Sequence, residues 1–177
     1  MPVPHKSKVR ANLLVAANGA TTFEGSSRKL SPKADRVRFH ELRRQADILL
    51  IGGNTYRNEP YLGLSIPVFV STRSPNKHDK SPNVEFFKLS PLQLVMKTKE
   101  KYHSILVEGG ANFLMELISA LAIDELLITR VERSGDENFF DEELLSTNYR
   151  LNSSNEIDDA IFENWVPAHQ LKLADQN

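Results

Sequence analysis

The residues best suited to chemistry stand where short apolar runs end. Ile105, Leu106 and Val107 lead directly into Glu108-Gly109-Gly110, and Phe113, Leu114, Leu117, Ile118 and Leu121 then recur at helical spacing. A strand that ends in paired glycines and opens a helix makes a place for a phosphate. Glycine allows close backbone approach, and the unpaired amides of a first helical turn point at whatever lies above them. Glu108 stands at the rim of such a site, able to orient a polar substrate or relay a proton to it. The alternative for Glu108 is to brace the following helix, where a carboxylate is favoured anyway, and for Gly109 and Gly110 a purely structural tight turn.

Two more turns of this kind follow apolar runs: Gly52-Gly53-Asn54-Thr55 and Ser71-Thr72-Arg73. Thr55 also fits as the N-cap of a short helix through Tyr56 and Arg57, at the same helix end as a bound phosphate. Together the turns suit a nucleotide cofactor and a polar substrate side by side. The five histidines, His5, His40, His78, His103 and His169, show no His-x-x-x-His pairing, so no metal site is expected. His40 reads as a surface or packing residue of the first helix.

The elements that must position these turns alternate. Residues 10–17 form a strand pattern, and Ser31-Pro32 reads as a helix start, with the hydroxyl as N-cap and proline first in the helix, running to about Gln45. Residues 47–51 are almost continuously apolar, as in a strand buried on both faces. Strands follow at 67–70 and 84–88, a helix from Ser90-Pro91, a strand at 103–107, a helix at 112–121 and a strand at 125–131. This alternation predicts an α/β fold whose mostly parallel sheet carries helices on both faces. Ligands of such sheets collect beyond the carboxyl ends of the strands, where all three turns lie. Residues 136–143 read as a solvated acidic loop, and the pattern resumes at 161–173 as an antiparallel hairpin at the sheet edge.

Length and composition agree with one domain over 1–177, with 40% hydrophobic residues. A net charge of -1 with scattered basic residues argues against nucleic-acid binding. The absence of cysteine removes disulfides, thiol nucleophiles and cysteine-ligated zinc, including that of a zinc deaminase. No run approaches the ~20 apolar residues of a membrane span, and the first residues lack an apolar signal core, so a cytoplasmic protein without membrane contact is expected.

In order and spacing these segments resemble the reductase domain of riboflavin biosynthesis, the C-terminal domain of RibD, which has the dihydrofolate-reductase-like fold. The match runs from about Ala11 to about Arg130. It is carried by Ser31-Pro32-Lys33-Ala34-Asp35-Arg36, by 42–52 with Leu42-Arg43 and Ala46-Asp47-Ile48-Leu49-Leu50-Ile51-Gly52, by Thr55 with Glu59-Pro60, by Val107-Glu108-Gly109-Gly110-Ala111, and by Asp124-Glu125-Leu126.

The resemblance implies NADPH as cofactor, a ribosylamino-pyrimidine phosphate as substrate, hydride delivery to C1 of the opened ribose, and a homodimer. It places Thr55, Glu59, Thr72 and the segment from Gly110 through Ala111, Asn112 and Phe113 to Glu116 at the cofactor, beside Gly52, Gly53 and Gly109. It places Ser26, Arg43, Leu62 and Glu108 at the substrate. Arg73 stands where this fold often holds a cation for the NADPH 2′-phosphate, which a guanidinium suits.

Three positions depart from the family pattern. Asn18 replaces an aspartate after the first strand, Arg28 an expected aromatic residue, and Gly63-Leu64-Ser65-Ile66 a stretch that often carries an arginine for the substrate phosphate. A dihydrofolate or pterin reductase, and a non-catalytic relative that keeps only the cofactor fold, therefore stay open beside the pyrimidine reductase.

Overall fold

Val9, Ala11, Leu13 and Val15 are buried on one side of the first strand, Lys8–Ala16 (β1), and Leu14 and Ala16 on the other, because the strand lies inside a sheet covered on both faces. The computed structural model describes residues 7–58, 61, 63–74 and 81–169. After β1 come Ala20–Thr22 (β2), a short 3-10 turn at Ser27–Lys29, Lys33–Arg44 (α1), Ile48–Gly52 (β3), Gly53–Asn58 (α2), Val68–Ser71 (β4) and Val84–Phe87 (β5). Pro91–Lys99 (α3), Ser104–Val107 (β6), Ala111–Ser119 (α4), Glu125–Val131 (β7), Glu137–Phe139 (β8), Glu142–Asn148 (α5), Tyr149–Ile157 (β9) and Ala160–Pro167 (β10) follow.

Eight strands form one sheet in the order β5-β4-β3-β6-β1-β7-β10-β9. Every pair from β5 to β7 is parallel, whereas β10 runs antiparallel to both β7 and β9. One face packs Leu94, Leu114, Leu117, Ile118 and Leu145 of α3, α4 and α5 onto the sheet. The other face packs Leu42 and Ala46 of α1 and its C-terminal end onto Leu49, Ile51, Leu106 and Leu127. The expected three-layer α/β architecture with an antiparallel C-terminal edge is the one observed. Among the described residues no helix is long and apolar enough to cross a membrane.

Local chemistry accounts for several boundaries and corrects others. Ser90 forms a full capping box with Gln93 at the start of α3, as its Ser-Pro pair predicts. The Ser31-Pro32 pair does not repeat it: Pro32 is the N-cap of α1, no side chain caps the helix, and the Ser31 hydroxyl donates instead to Asp35 Oδ2 at 2.5 Å. With Pro32 at the N-cap, Ser31 stands one position outside the helix start, and its hydroxyl bonds the buried Asp35 carboxylate instead of an amide of the first turn. Thr55 does not cap α2 either, because that helix already begins at Gly53.

Residues 136–143 are not a plain loop. β8 pairs antiparallel with β2, and Asp141 caps α5 by accepting from Leu144 N at 2.9 Å. β9 is longer than the expected edge hairpin. After the buried Tyr149 its side chains are exposed, so Asn152 to Glu156 carry no alternation that would mark a strand. The part of the expected hairpin beyond His169 lies outside the described residues.

Candidate functional site

The carboxyl ends of β5, β4, β3, β6 and β1 share one edge of the sheet, and the loops beyond them open onto a cleft of about 1510 Å³. Single small-molecule pockets hold roughly 300–1,000 Å³, so this cleft has room for a cofactor and a substrate together. The strand order orders its lining. Lys88 follows β5, Thr72 and Arg73 follow β4, Gly53 and Thr55 follow β3, and Glu108 and Gly110 follow β6. α1 overhangs the opposite end with Asp35, Phe39 and Arg43.

At the first end two helix starts face each other. α4 has Gly110 as N-cap and no side-chain cap, leaving its first amides to another acceptor. A Cβ on Gly110 would lie 3.1 Å from the Thr55 hydroxyl, so the missing side chain keeps the gap between α2 and α4 open. Ala111, Asn112 and Phe113 continue the same lining. The other glycines serve packing. A Cβ on Gly109 would come within 2.6 Å of the Phe113 ring, and one on Gly53 within 2.6 Å of Thr72 Oγ1; Gly52 lies 3.4 Å from Phe113 by the same measure. The Thr72 hydroxyl is engaged in its own turn, accepting from Ser74 N at 3.2 Å. Arg73 is exposed at the rim. An uncapped nine-residue helix, a small-residue gap and rim cations fit a phosphorylated dinucleotide.

At the second end Arg43 and Glu108 meet. Arg43 Nε donates to Glu108 Oε1 at 2.8 Å and Nη2 to Oε2 at 2.6 Å, with the Arg43 side chain 13% and that of Glu108 4% exposed. The guanidinium lies 4.0 Å from the Phe39 ring centre and 5.2 Å from that of Tyr61. Such a fork between aromatic rings is rigid. Arg43 is thus no solvated helix charge, and Glu108 does not brace α4 alone.

A second acid was not singled out from the sequence. Asp35 is buried on the cleft face of α1, accepting from Ser31 Oγ and, at 2.6 Å, from Thr129 Oγ1 on β7. Asn12 on β1 also lines the cleft and leaves its Oδ1 buried with no hydrogen-bond partner. A buried polar atom of this kind marks where a ligand or water completes the site. The signal for Asp35 was an acid in the first turn of a helix whose neighbouring turn residue is a serine; the Thr129 contact, 94 residues away, left no trace in the sequence.

Of the other expected site residues, Ser26 caps the 3-10 turn by accepting from Arg28 N at 3.2 Å, and its neighbours Gly25 and Ser27 line the cleft while it does not. Glu59 and Leu62 lie outside the described residues. Among the described residues no His, Asp or Glu cluster could hold a metal ion.

No family model matches the sequence, and no curated protein matches it. Solved structures do. A diaminohydroxyphosphoribosylaminopyrimidine deaminase/5-amino-6-(5-phosphoribosylamino)uracil reductase from Thermotoga maritima superposes with a TM-score of 0.72 at 16% identity, over 92% of this chain and 57% of its own. The chain thus spans little more than half of that protein. A putative riboflavin biosynthesis protein from Shewanella sp. PV-4 gives 0.71 at 18% identity, covering 90% of this chain and 98% of its own. Dihydrofolate reductase from Enterococcus faecalis, complexed with NADP(H), gives 0.68 at 17% identity over 91% and 96%. The chain has the fold these pyrimidine-reductase and dihydrofolate-reductase structures share.

Proposed function

We propose that the protein is an NADPH-dependent reductase of the riboflavin-biosynthesis type, acting on a ribosylamino-pyrimidine phosphate or a closely related small heterocycle. The observation that carries this reading is the division of one cleft into a phosphate-suited half, at Thr55, Gly110 and Arg73, and an acid-bearing half, at Asp35 and the Arg43–Glu108 pair. The likeness to reductase structures adds support. A cytoplasmic location and a homodimer belong to the same reading. The dimer is supported by the nine-residue outer strand β9, whose edge, flanked by the exposed Leu151 and Ile157, a native protein tends to cover.

When bound, reduced nicotinamide supplies the hydride for the substrate carbon. The α4 amides and the Thr55 hydroxyl would hold the cofactor's phosphates, and Arg73 would supply a cation for the 2′-phosphate. Glu108, with both oxygens accepting from Arg43, is a fixed acceptor that orients the substrate. Asp35 accepts from hydroxyls only and keeps lone pairs for N–H or O–H donors of a heterocycle. It is the better placed of the two acids to exchange the proton that the product oxygen or nitrogen must receive. The cleft walls, Leu13 and Phe39 among them, limit water at the reacting carbon.

A dihydrofolate-type activity is the second reading, favoured by Asp35 itself. A carboxylate can accept two parallel N–H bonds from the amidine edge of a pterin as readily as from a pyrimidine. The deciding experiment adds the ribosylamino-pyrimidine phosphate or dihydrofolate to the NADPH complex and follows loss of reduced nicotinamide absorbance. Oxidation by the first supports the leading reading, oxidation by dihydrofolate alone the second, and NADPH binding without oxidation by either a non-catalytic relative.

A further inference from the structure

The two acids of the substrate half are committed differently. Glu108 is gripped by the Arg43 fork, whereas Asp35 accepts from two neutral hydroxyls, Ser31 Oγ at 2.5 Å and Thr129 Oγ1 at 2.6 Å. Each oxygen of Asp35 takes one of these bonds. A carboxylate has about four lone-pair sites, so one is left on each oxygen of a residue that is only 5% exposed and lines the cleft.

β6 and β7 both pair with β1, so Glu108 at the end of β6 and Thr129 in β7 stand on strands about 10 Å apart. Between them lies Asn12, two residues before the Leu14 that pairs with Thr129, and its amide can meet a donor or an acceptor alike. Asp35 cannot. The hydroxyl hydrogens of Ser31 and Thr129 are spent on it, and the Arg36 guanidinium is turned to the Ser31 carbonyl at 2.7 Å. The edge that Asp35 presents to the cleft therefore offers acceptors.

We propose that this edge selects a pyrimidine ring with an amino group at C2 over the 2-oxo ring of a uracil, and that Asp35 is the specificity-determining residue. The inference rests on the reductase reading, in which the cofactor fills the Gly110 end and the ring the α1 end. The carbon that receives hydride hangs from C6 of the ring and must point toward the cofactor. N3 lies across the ring from C6, so the N3–C2 edge turns to Asp35. In a 2-amino-4-oxo ring that edge carries two N–H donors side by side, matched to the two remaining lone pairs. In a uracil it carries one N–H beside a carbonyl, whose lone pairs meet a carboxylate oxygen with no proton between them.

This choice fixes an order of reactions. The reduced product keeps its C2 amino group, and exchanging that group for oxygen is a hydrolytic deamination that consumes water and releases ammonia. That step has to follow the reduction.

The test is an NMR titration of the full chain with isocytosine and, separately, with uracil, which differ at C2 alone, watching the Thr129 methyl signal. Isocytosine should bind at least about tenfold more tightly. Asp35→Asn should lose or reverse that preference, because a carboxamide offers one donor and one acceptor, the pattern of the uracil edge. If Asp35→Asn does not fold, the ratio of the two affinities in the parent carries the test. Equal affinities, tighter uracil, binding of neither ring, or an unchanged preference in Asp35→Asn would overturn the assignment. No turnover is needed, so selectivity for isocytosine without NADPH oxidation by any substrate would keep the assignment and lose the reductase reading. NADPH oxidation with equal affinities would do the reverse.

Discussion

Arg43 holds Glu108 by both carboxylate oxygens, at 2.8 and 2.6 Å, and so ties the middle of the cleft to α1. Removing one member of a buried pair strands the other, at a cost of about 3–5 kcal/mol. Arg43→Met should therefore lower unfolding free energy in urea by about that amount. Combining it with Glu108→Met should restore much of the loss, since no buried charge is left behind. A loss below about 1 kcal/mol for Arg43→Met would place the pair among weak surface bridges.

Asp35 depends on Thr129 for one of its hydrogen bonds. Thr129→Val keeps the shape of the side chain and removes the donor, so it should cost about 1–3 kcal/mol. Asp35→Asn should lower turnover about a hundredfold or more while leaving NADPH affinity within about twofold. A matching fall in NADPH affinity would move Asp35 out of the substrate half.

The two adjacent glycines should separate under substitution. Gly109→Ala forces a methyl into the Phe113 ring, a clash expected to cost about 1–3 kcal/mol. Pairing it with Phe113→Leu should recover part of that loss. Gly110→Ala narrows the gap to Thr55, and should weaken NADPH about tenfold with little change in the thermal midpoint. Equal effects of both substitutions on stability and binding would contradict this division.

Glu125 ties the amino end of β7 to Lys8 at 2.9 Å and to Asn164 at 2.7 Å. Burial pushes its carboxyl up, but the hydrogen bonds from Lys8 and Asn164 and the charges of Lys8 and Arg10 outweigh it, so the group sits below the usual carboxylate range. A lowered folded value means the stabilisation is present above the unfolded carboxylate value of about 4.3 and disappears as pH falls through the folded one. Unfolding free energy measured against pH should show a flatter acid limb for Glu125→Gln than for the parent. Parallel curves would remove Glu125 from the acid response.

The parallel sheet was legible because buried strands such as 47–51 read as unbroken apolar runs and the Gly-rich turns mark their ends. That the turns at Thr55, Thr72 and Gly110 line one cleft was legible for the same reason. Contacts between distant segments were not. Asp35 gains its meaning from Thr129, Arg43 from Glu108, and the 136–143 stretch from pairing with β2. Asn18, where an aspartate was expected, accepts from Gly135 N at 3.1 Å and donates to Gly135 O at 2.8 Å. A carboxylate, which only accepts, could not do both, so this departure closes a loop whose partner is 117 residues away.

The dinucleotide reading of the cleft is tested by a parallel titration of NADPH and NADH into the parent and into Arg73→Ala, followed by fluorescence of the reduced nicotinamide. The parent should bind NADPH in preference to NADH, and Arg73→Ala should weaken NADPH far more than NADH. Equal loss for both would sink the role of Arg73, and no binding of either would mean that the uncapped start of α4 is structural and that the cleft is not a dinucleotide site.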